Sequence, residues 1–223
     1  MIKQPHPSVV VLDLDGTLVD SVYEHVVAWQ RAFHRVGRHV GAMRIHEAIG
    51  MGGDKLVAHV AGEAAETAVG DDVRALHDTY FEETLRTISA LDGAAELVEA
   101  LADQGRQVVV ASSSPAAVVE ELLDLVDTRA KLCAVVTASD VDDSKPAPDL
   151  VRAAVERAGG GSGIAVGDAT WDVLAAEAAG VPCIGLRSGG IAAERLLIAG
   201  ASGVYDGPAD LLAQLADSPL RDR

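Results

Sequence analysis

The sequence predicts an α/β fold, a doubly wound parallel sheet with an all-α cap inserted after its first strand. Three observations carry this. Short all-apolar runs recur along the chain, as strands buried on both faces require. From Ala94 onward they alternate with helical patterns, as parallel strands joined by crossover helices do. Between Val19 and about Thr87 the alternation stops and only helical periodicity remains.

Taken in order, Val9–Leu12 opens the sheet and runs directly into Asp13-Leu14-Asp15-Gly16-Thr17-Leu18. Ser21-Val22-Tyr23-Glu24 reads as a capping box that starts the first helix. Further helices fit about Asp54–Glu66 and Asp71–Arg86, with Gly50-Met51-Gly52-Gly53 as an irregular break before them. The later strands fall at Gln107–Ala111, Cys133–Val136, Ile164–Val166, Cys183–Leu186 and Gly203–Tyr205. Helices fill Ala94–Asp103, Ala116–Asp124, Leu150–Ala158, Asp172–Ala179, Ala192–Ala199 and Ala209–Leu215. Gly105, Gly159, Gly180 and Gly200 follow helices as left-handed stops, and Pro115 and Pro208 sit near helix starts. In this reading residues 1–18 and 88–223 form the core domain and 19–87 the cap, hinged near Val19 and Ser89–Gly93.

The 223 residues can bury one core with an insert, and a hydrophobic share of 49% excludes a disordered chain. With two Trp, three Tyr and two Phe, the core must be filled by Ala, Val, Leu and Ile. A net charge of −16, with no basic cluster to offset it, argues against nucleic acid or an anionic membrane as a partner. The same charge sets a requirement: an anionic substrate needs local cations. Cys133 and Cys183 lie in apolar runs without metal-ligand spacing and read as small core residues. No stretch has the length of a secretion signal or membrane span, which points to a cytoplasmic protein. Gly50–Lys55 lacks the Gly-Lys-Ser/Thr ending of a P-loop. Gly161-Ser162-Gly163 precedes a strand instead of following one, so both glycine clusters read as turns.

The chemistry concentrates where strands end. Asp13 and Asp15, delivered by a buried strand, are costly there unless paired, protonated or bound to a cation. The pair suits a hard divalent ion and a carboxylate that attacks an electrophile, although Asp-Leu-Asp-Gly alone is compatible with a polar turn. Val108-Val109-Val110-Ala111 ends in Ser112-Ser113-Ser114-Pro115, hydroxyls and N–H groups able to cradle an anion, with Ser114 expected as a helix N-cap. Lysine is scarce, and Lys145 is held in a proline-stiffened loop, Ser144-Lys145-Pro146-Ala147-Pro148, as a point-charge donor. Asp168 ends the strand Ile164–Val166, and Asp172 follows in a first helical turn, where it could face the same ion or complement the helix dipole. Asp13, Asp15, Ser112 and Asp168 all lie past C-terminal strand ends, the edge at which open parallel sheets bind ligands.

Together these motifs resemble the haloacid dehalogenase-like hydrolases over the whole chain. Asp13-Leu14-Asp15-Gly16-Thr17 is similar to their first motif, Ser112 to the second, Lys145 to the third, and Gly167-Asp168 with Asp172 to the fourth. Gly167–Gly180 resembles the phosphoglycolate phosphatase and β-phosphoglucomutase-like branch, whose small helical cap corresponds to the insert. The resemblance implies a nucleophile at Asp13, forming an aspartyl-phosphate, and a general acid/base at Asp15. It implies Mg²⁺ held by Asp13, Asp15 through its backbone carbonyl, and Asp168, with Asp172 either as a further ligand or just behind one. Thr17, Ser112, Ser113 and Lys145 would bind the phosphate of a small phosphorylated metabolite.

Asp15 separates the branches. Relatives that displace halide lack this aspartate; those that cleave phosphonoacetaldehyde carry Ala there and a cap lysine as Schiff base. Met51-Gly52-Gly53-Asp54-Lys55 resembles that cap segment, but with Asp15 present Lys55 reads as a substrate contact. Gly52 and Gly53 supply N–H groups and shape, and Glu47, with Arg44, completes the cap residues expected near substrate. The cap histidines, His25, His34, His39, His46, His59 and His77, read as surface residues without a role. The expected activity is Mg²⁺-dependent hydrolysis of a phosphomonoester. Sugar-phosphate transfer, as in the mutases, is the nearest alternative. A catalytically silent metal- and anion-binding regulator is a third, whose signature would be a missing motif residue. Oligomeric state stays open.

Overall fold

The computed structural model describes residues 8–221, so the outermost ends of the expected core, 1–7 and 222–223, lie outside the described residues. Six parallel strands form one sheet: β1 (Val9–Leu12), β2 (Gln107–Ala111), β3 (Ala134–Val136), β4 (Gly163–Gly167), β5 (Cys183–Leu186) and β6 (Val204–Tyr205). Their spatial order is β3-β2-β1-β4-β5-β6, so β1 lies between β2 and β4 and the strand order switches at β1. Register aligns Val10 with Val108 and Ile164, and Leu12 with Val110 and Val166.

Alternation along the strands divides the core into two layers. Val10, Leu12, Val108, Val110, Ile164 and Val166 face one way, onto α5 (Ala94–Asp103), α6 (Ala116–Val126) and α10 (Pro208–Ala213). Val9, Val11, Val109 and Ala165 face the other way, onto α7 (Asp149–Arg157), α8 (Thr170–Ala179) and α9 (Ala193–Ala199). The glycine stops hold, with φ of 78° at Gly105, 89° at Gly159, 75° at Gly180 and 110° at Gly200. Cys183 is buried in this core, but Cys133 is exposed. The strand starts one residue later than expected, which leaves Cys133 in the approach to the edge strand β3.

The insert has its own apolar cluster. Val22, Val26, Trp29 and Phe33 of α1 (Val22–Arg35) pack on Ile45 of α2 (Ala42–His46), Leu56, Val57 and Val60 of α3 (Gly53–Ala61), and Val73 of α4 (Glu63–Glu82). The expected helices Asp54–Glu66 and Asp71–Arg86 are divided differently. Gly62, at φ 87°, ends α3, and α4 then runs unbroken through the supposed gap at 67–70. Only glycine takes that conformation cheaply, so it outweighs the apolar periodicity that continues across it. The capping box at Ser21 does not form either. Ser21 stands before α1 but its hydroxyl is used elsewhere, as described below. Among the described residues, no helix is long and apolar enough to cross a membrane.

Candidate active site

The loops after β1, β2 and β4, the loop holding Lys145 and one end of the helical insert meet at the C-terminal edge of the sheet. Asp13 N–H still donates to the Val166 carbonyl at 2.9 Å, so the nucleophile candidate is fixed as one more rung of the central ladder. The chain then turns at Gly16, φ 75°, where a methyl group would overlap the Asp168 carboxylate and Val22. A glycine is required there for both reasons.

Asp13, Asp168 and Asp172 come together with carboxylate oxygens within 4.8 Å of one another, all three buried. Lys145, also buried, is ion-paired with Asp13 and lies 2.7 Å from Asp172. Asp172 Oδ2 also accepts the Ala169 N–H at 3.0 Å, so the helix-start reading and the site reading are both true of it. Thr17 donates its hydroxyl to Asp168 Oδ1 at 3.1 Å and so stands behind that carboxylate.

Three carboxylates facing one ammonium leave the cluster short of positive charge. Burial, with the Asp172 and Asp15 charges, raises Asp13 to about 7 against the pull of Lys145. Burial and the neighbouring carboxylates likewise push Asp168 well up. Burial opposes the charge on Lys145, but Asp13 and Asp172 overcome it and keep the ammonium protonated. An all-oxygen, buried and under-neutralised donor set is what a hard divalent cation such as Mg²⁺ fits. Asp13, Asp168 and Asp172 would hold it.

Asp15 belongs to a different environment. Its Oδ1 accepts from Ser21 at 2.6 Å and from His25 Nε2 at 3.1 Å, and its Oδ2 accepts from Ser114 at 3.0 Å. Burial alone would raise this carboxyl, but His25 and these hydrogen bonds hold it down at about 2. Ser114 is therefore not the N-cap of α6, which begins after Pro115. Ser112 Oγ accepts the Ser114 N–H at 3.0 Å, and Ser113 Oγ donates to the Gly50 carbonyl at 3.3 Å.

The histidine reading needs correction. His34, His39 and His59 are exposed, but His25 and His77 are buried at 7% exposure each. They form a chain that starts at Asp15: His25 Nδ1 lies 3.1 Å from His77 Nε2, and His77 Nδ1 lies 3.0 Å from Asp78 Oδ1. Two neutral imidazoles carry two N–H protons, yet three bonds ending on carboxylates need three. The chain is thus built to pass a proton between its two ends. His77 is lowered to about 4, chiefly by burial, and so stays neutral in this chain. The signal was present in the sequence: His25 shares the buried stripe Val22–Val26–Trp29 of α1, and His77 falls midway between Val73 and Phe81 on α4.

The insert closes over these loops. Ser144 Oγ donates to Asp54 at 2.5 Å, and Lys55 Nζ reaches the Ser144 carbonyl at 2.9 Å and Asp143 at 3.2 Å. Lys55 thus bridges insert to core. Glu47 does the same, pairing with Arg195 at 2.6 Å while its carbonyl accepts from Trp171 at 2.9 Å. Arg44 donates to the His59 carbonyl at 3.3 Å, within the insert. Gly52 is pressed against Ser144 and Asp54, and Gly53 lies over Trp29 and Arg74. A cavity of about 320 Å³ remains between the two parts, bounded by Asp13, Asp15, Trp29, Arg74, Phe81 and Ser114 among others.

The chain is similar to known proteins of one family. The profile of the haloacid dehalogenase-like hydrolases matches residues 7–180. A phosphoglycolate phosphatase from Pseudomonas fluorescens is 31% identical over 191 residues, covering 82% of this chain and 70% of that protein. One from Shigella boydii is 30% identical over 234 residues, covering 92% and 91%. The crystal structure of a hydrolase from Pseudomonas syringae superposes with a TM-score of 0.88 at 34% identity, covering 93% of this chain and 97% of that one. A candidate β-phosphoglucomutase from Bacteroides vulgatus shares the fold, with a TM-score of 0.86 at 22% identity and coverage of 99% and 93%. The chain belongs to the haloacid dehalogenase-like hydrolases, as an enzyme with phosphoglycolate phosphatases among its relatives.

Proposed function

We propose that this enzyme is a Mg²⁺-dependent phosphatase that hydrolyses the phosphomonoester of a small metabolite through an aspartyl-phosphate on Asp13. The observation that carries this reading is the buried cluster of Asp13, Asp168 and Asp172 against Lys145, at the sheet edge and open to a closed-over cavity. Unpaired cysteines suit a reducing cytoplasm as its compartment.

A carboxylate attacking a phosphate dianion meets repulsion, and Mg²⁺ on the three aspartates would supply most of the offsetting charge. The chain's own residues do the rest. Lys145 fixes Asp13 and meets the transferring group as a point charge. Ser112, Ser113 and nearby backbone N–H groups cradle the equatorial oxygens, while Thr17 acts by fixing Asp168. As the Asp13–phosphorus bond forms and the ester bond breaks, the leaving oxygen takes a proton from Asp15, which draws it from His25. Asp15 then accepts a proton from the water that hydrolyses the aspartyl-phosphate. Residues 19–87 act as the cap that excludes bulk water during these steps.

The test is phosphate release from a panel of metabolite esters with Mg²⁺ and with EDTA. Release that requires the metal is expected. Absence of release from every ester would end the proposal, and transfer of the phosphoryl group to a sugar hydroxyl without net release would make the enzyme a mutase.

The proton chain gives a separate expectation. His25→Gln and His77→Leu should lower kcat on alkyl phosphates by about 10²-fold, the usual contribution of general acid catalysis. Both should change little on p-nitrophenyl phosphate, whose leaving group needs no proton. His77→Gln, which keeps an acceptor for His25 Nδ1–H, should recover most of the loss. Equal losses on both ester types would show that the histidines only pack.

A further inference from the structure

The cavity above the phosphate site is lined by more acid than free base. Outside the catalytic cluster, the only Lys or Arg among the described residues lining it is Arg74. That guanidinium is already consumed: it forks onto Glu66 at 2.7 and 3.0 Å, reaches Asp71 at 2.8 Å, and donates to the Gly53 carbonyl at 3.1 Å. Lys55, the nearest cap lysine in sequence, is turned onto Asp143 and the Ser144 carbonyl. The wall meanwhile carries Asp54, Asp78 and Asp142, with Trp29, Ile49 and Phe81 as its apolar surface. His77 adds no positive charge there, for the reason given above.

A leaving group with its own carboxylate or second phosphate would enter a space lined by unneutralised acid, with every nearby cation already satisfied. Its desolvation would go uncompensated. Anion recognition normally relies on an available Arg fork or Lys charge, and the described residues lining the cavity offer neither. We propose that the substrate is the phosphate ester of an alcohol that carries no negative charge, uncharged or cationic, and that phosphoglycolate is a poor substrate despite the names of the relatives. The proposal rests on the phosphatase reading, since it assigns the leaving group of that same reaction.

Three esters share a two-carbon skeleton and differ in one terminal group: 2-phosphoglycolate, ethylene glycol monophosphate and O-phosphoethanolamine. With the full-length enzyme and Mg²⁺ at low ionic strength, kcat/KM should be at least tenfold lower for phosphoglycolate than for either of the others. Added KCl should shrink the gap, because exposed carboxylates act through screened charge. Asp142→Asn, a change at the exposed rim, should narrow the gap between phosphoglycolate and the glycol ester. Phosphoglycolate hydrolysed as well as, or better than, the neutral ester would overturn the proposal while leaving the phosphatase reading intact. Failure to hydrolyse all three and p-nitrophenyl phosphate would instead count against the phosphatase reading on which it rests.

Discussion

Asp13→Asn should abolish turnover, by a factor on the order of 10⁴ or more, as removal of a nucleophile that acts as part of a unit does. Asn has nearly the shape of Asp, and its amide oxygen can still face Lys145, so the fold should survive with its thermal midpoint little changed. The discriminating readout is covalent. Wild-type enzyme quenched in acid during turnover of ³²P-labelled substrate should carry a phosphoryl group that hydroxylamine removes, and Asp13→Asn should carry none. An Asp13→Asn enzyme that turns over and still acquires the label would place the nucleophile elsewhere. Asp15 would not be the replacement, because three donors already occupy its oxygens at 2.6 to 3.1 Å.

The second large effect is on stability. Lys145→Ala should destabilise the metal-free protein by about 3–5 kcal/mol, the cost of stripping a buried ion-pair partner from its carboxylates. Mg²⁺ should recover much of that loss, since a cation at the same cluster supplies the charge that was removed. The pH dependence gives the sign. Asp13 titrates near 7 in the native state and near 3.8 when unfolded, so between those values the folded protein holds a proton that the unfolded chain has released. Its contribution favours the folded state at the acid end and is lost as pH rises through 7. Asp15, held near 2, acts oppositely, stabilising above 3.8 and losing that contribution only in strong acid. Calorimetry of metal-free enzyme should therefore show a thermal midpoint that falls from pH 5 to pH 8, more steeply in Lys145→Ala. A midpoint independent of pH and of Mg²⁺ would mean that the three aspartates do not form an under-neutralised cluster.

Much of the core was legible because its signals are local. A parallel sheet buried on both faces demands continuous apolar strands, so Val9–Leu12, Gln107–Ala111 and Cys183–Leu186 declared themselves to the residue. Their carboxylate endings followed from the same economy of charge: Asp13 and Asp168 stand at the ends of buried strands, where only a shared site tolerates them. The helical insert was less legible. One glycine at φ 87° moved a helix boundary, and surface-like histidines proved to be buried.

What the sequence by itself determined is the alternation that sets the sheet, the helical interruption after β1, and the set of acids, hydroxyls and one lysine delivered to a single edge. Those depend on periodicity and on chain direction, which a reader of residues can follow. Only the tertiary structure decided which partner each side chain takes. Ser21 and Ser114 left their helix starts for Asp15, His25 and His77 met across 52 positions, and Arg74 was spent on Glu66 and Asp71. A polar group satisfies itself with whatever donor or acceptor packing brings within about 3 Å, and that proximity is fixed by the meeting of α1, α4 and the core loops, not by any spacing along the chain.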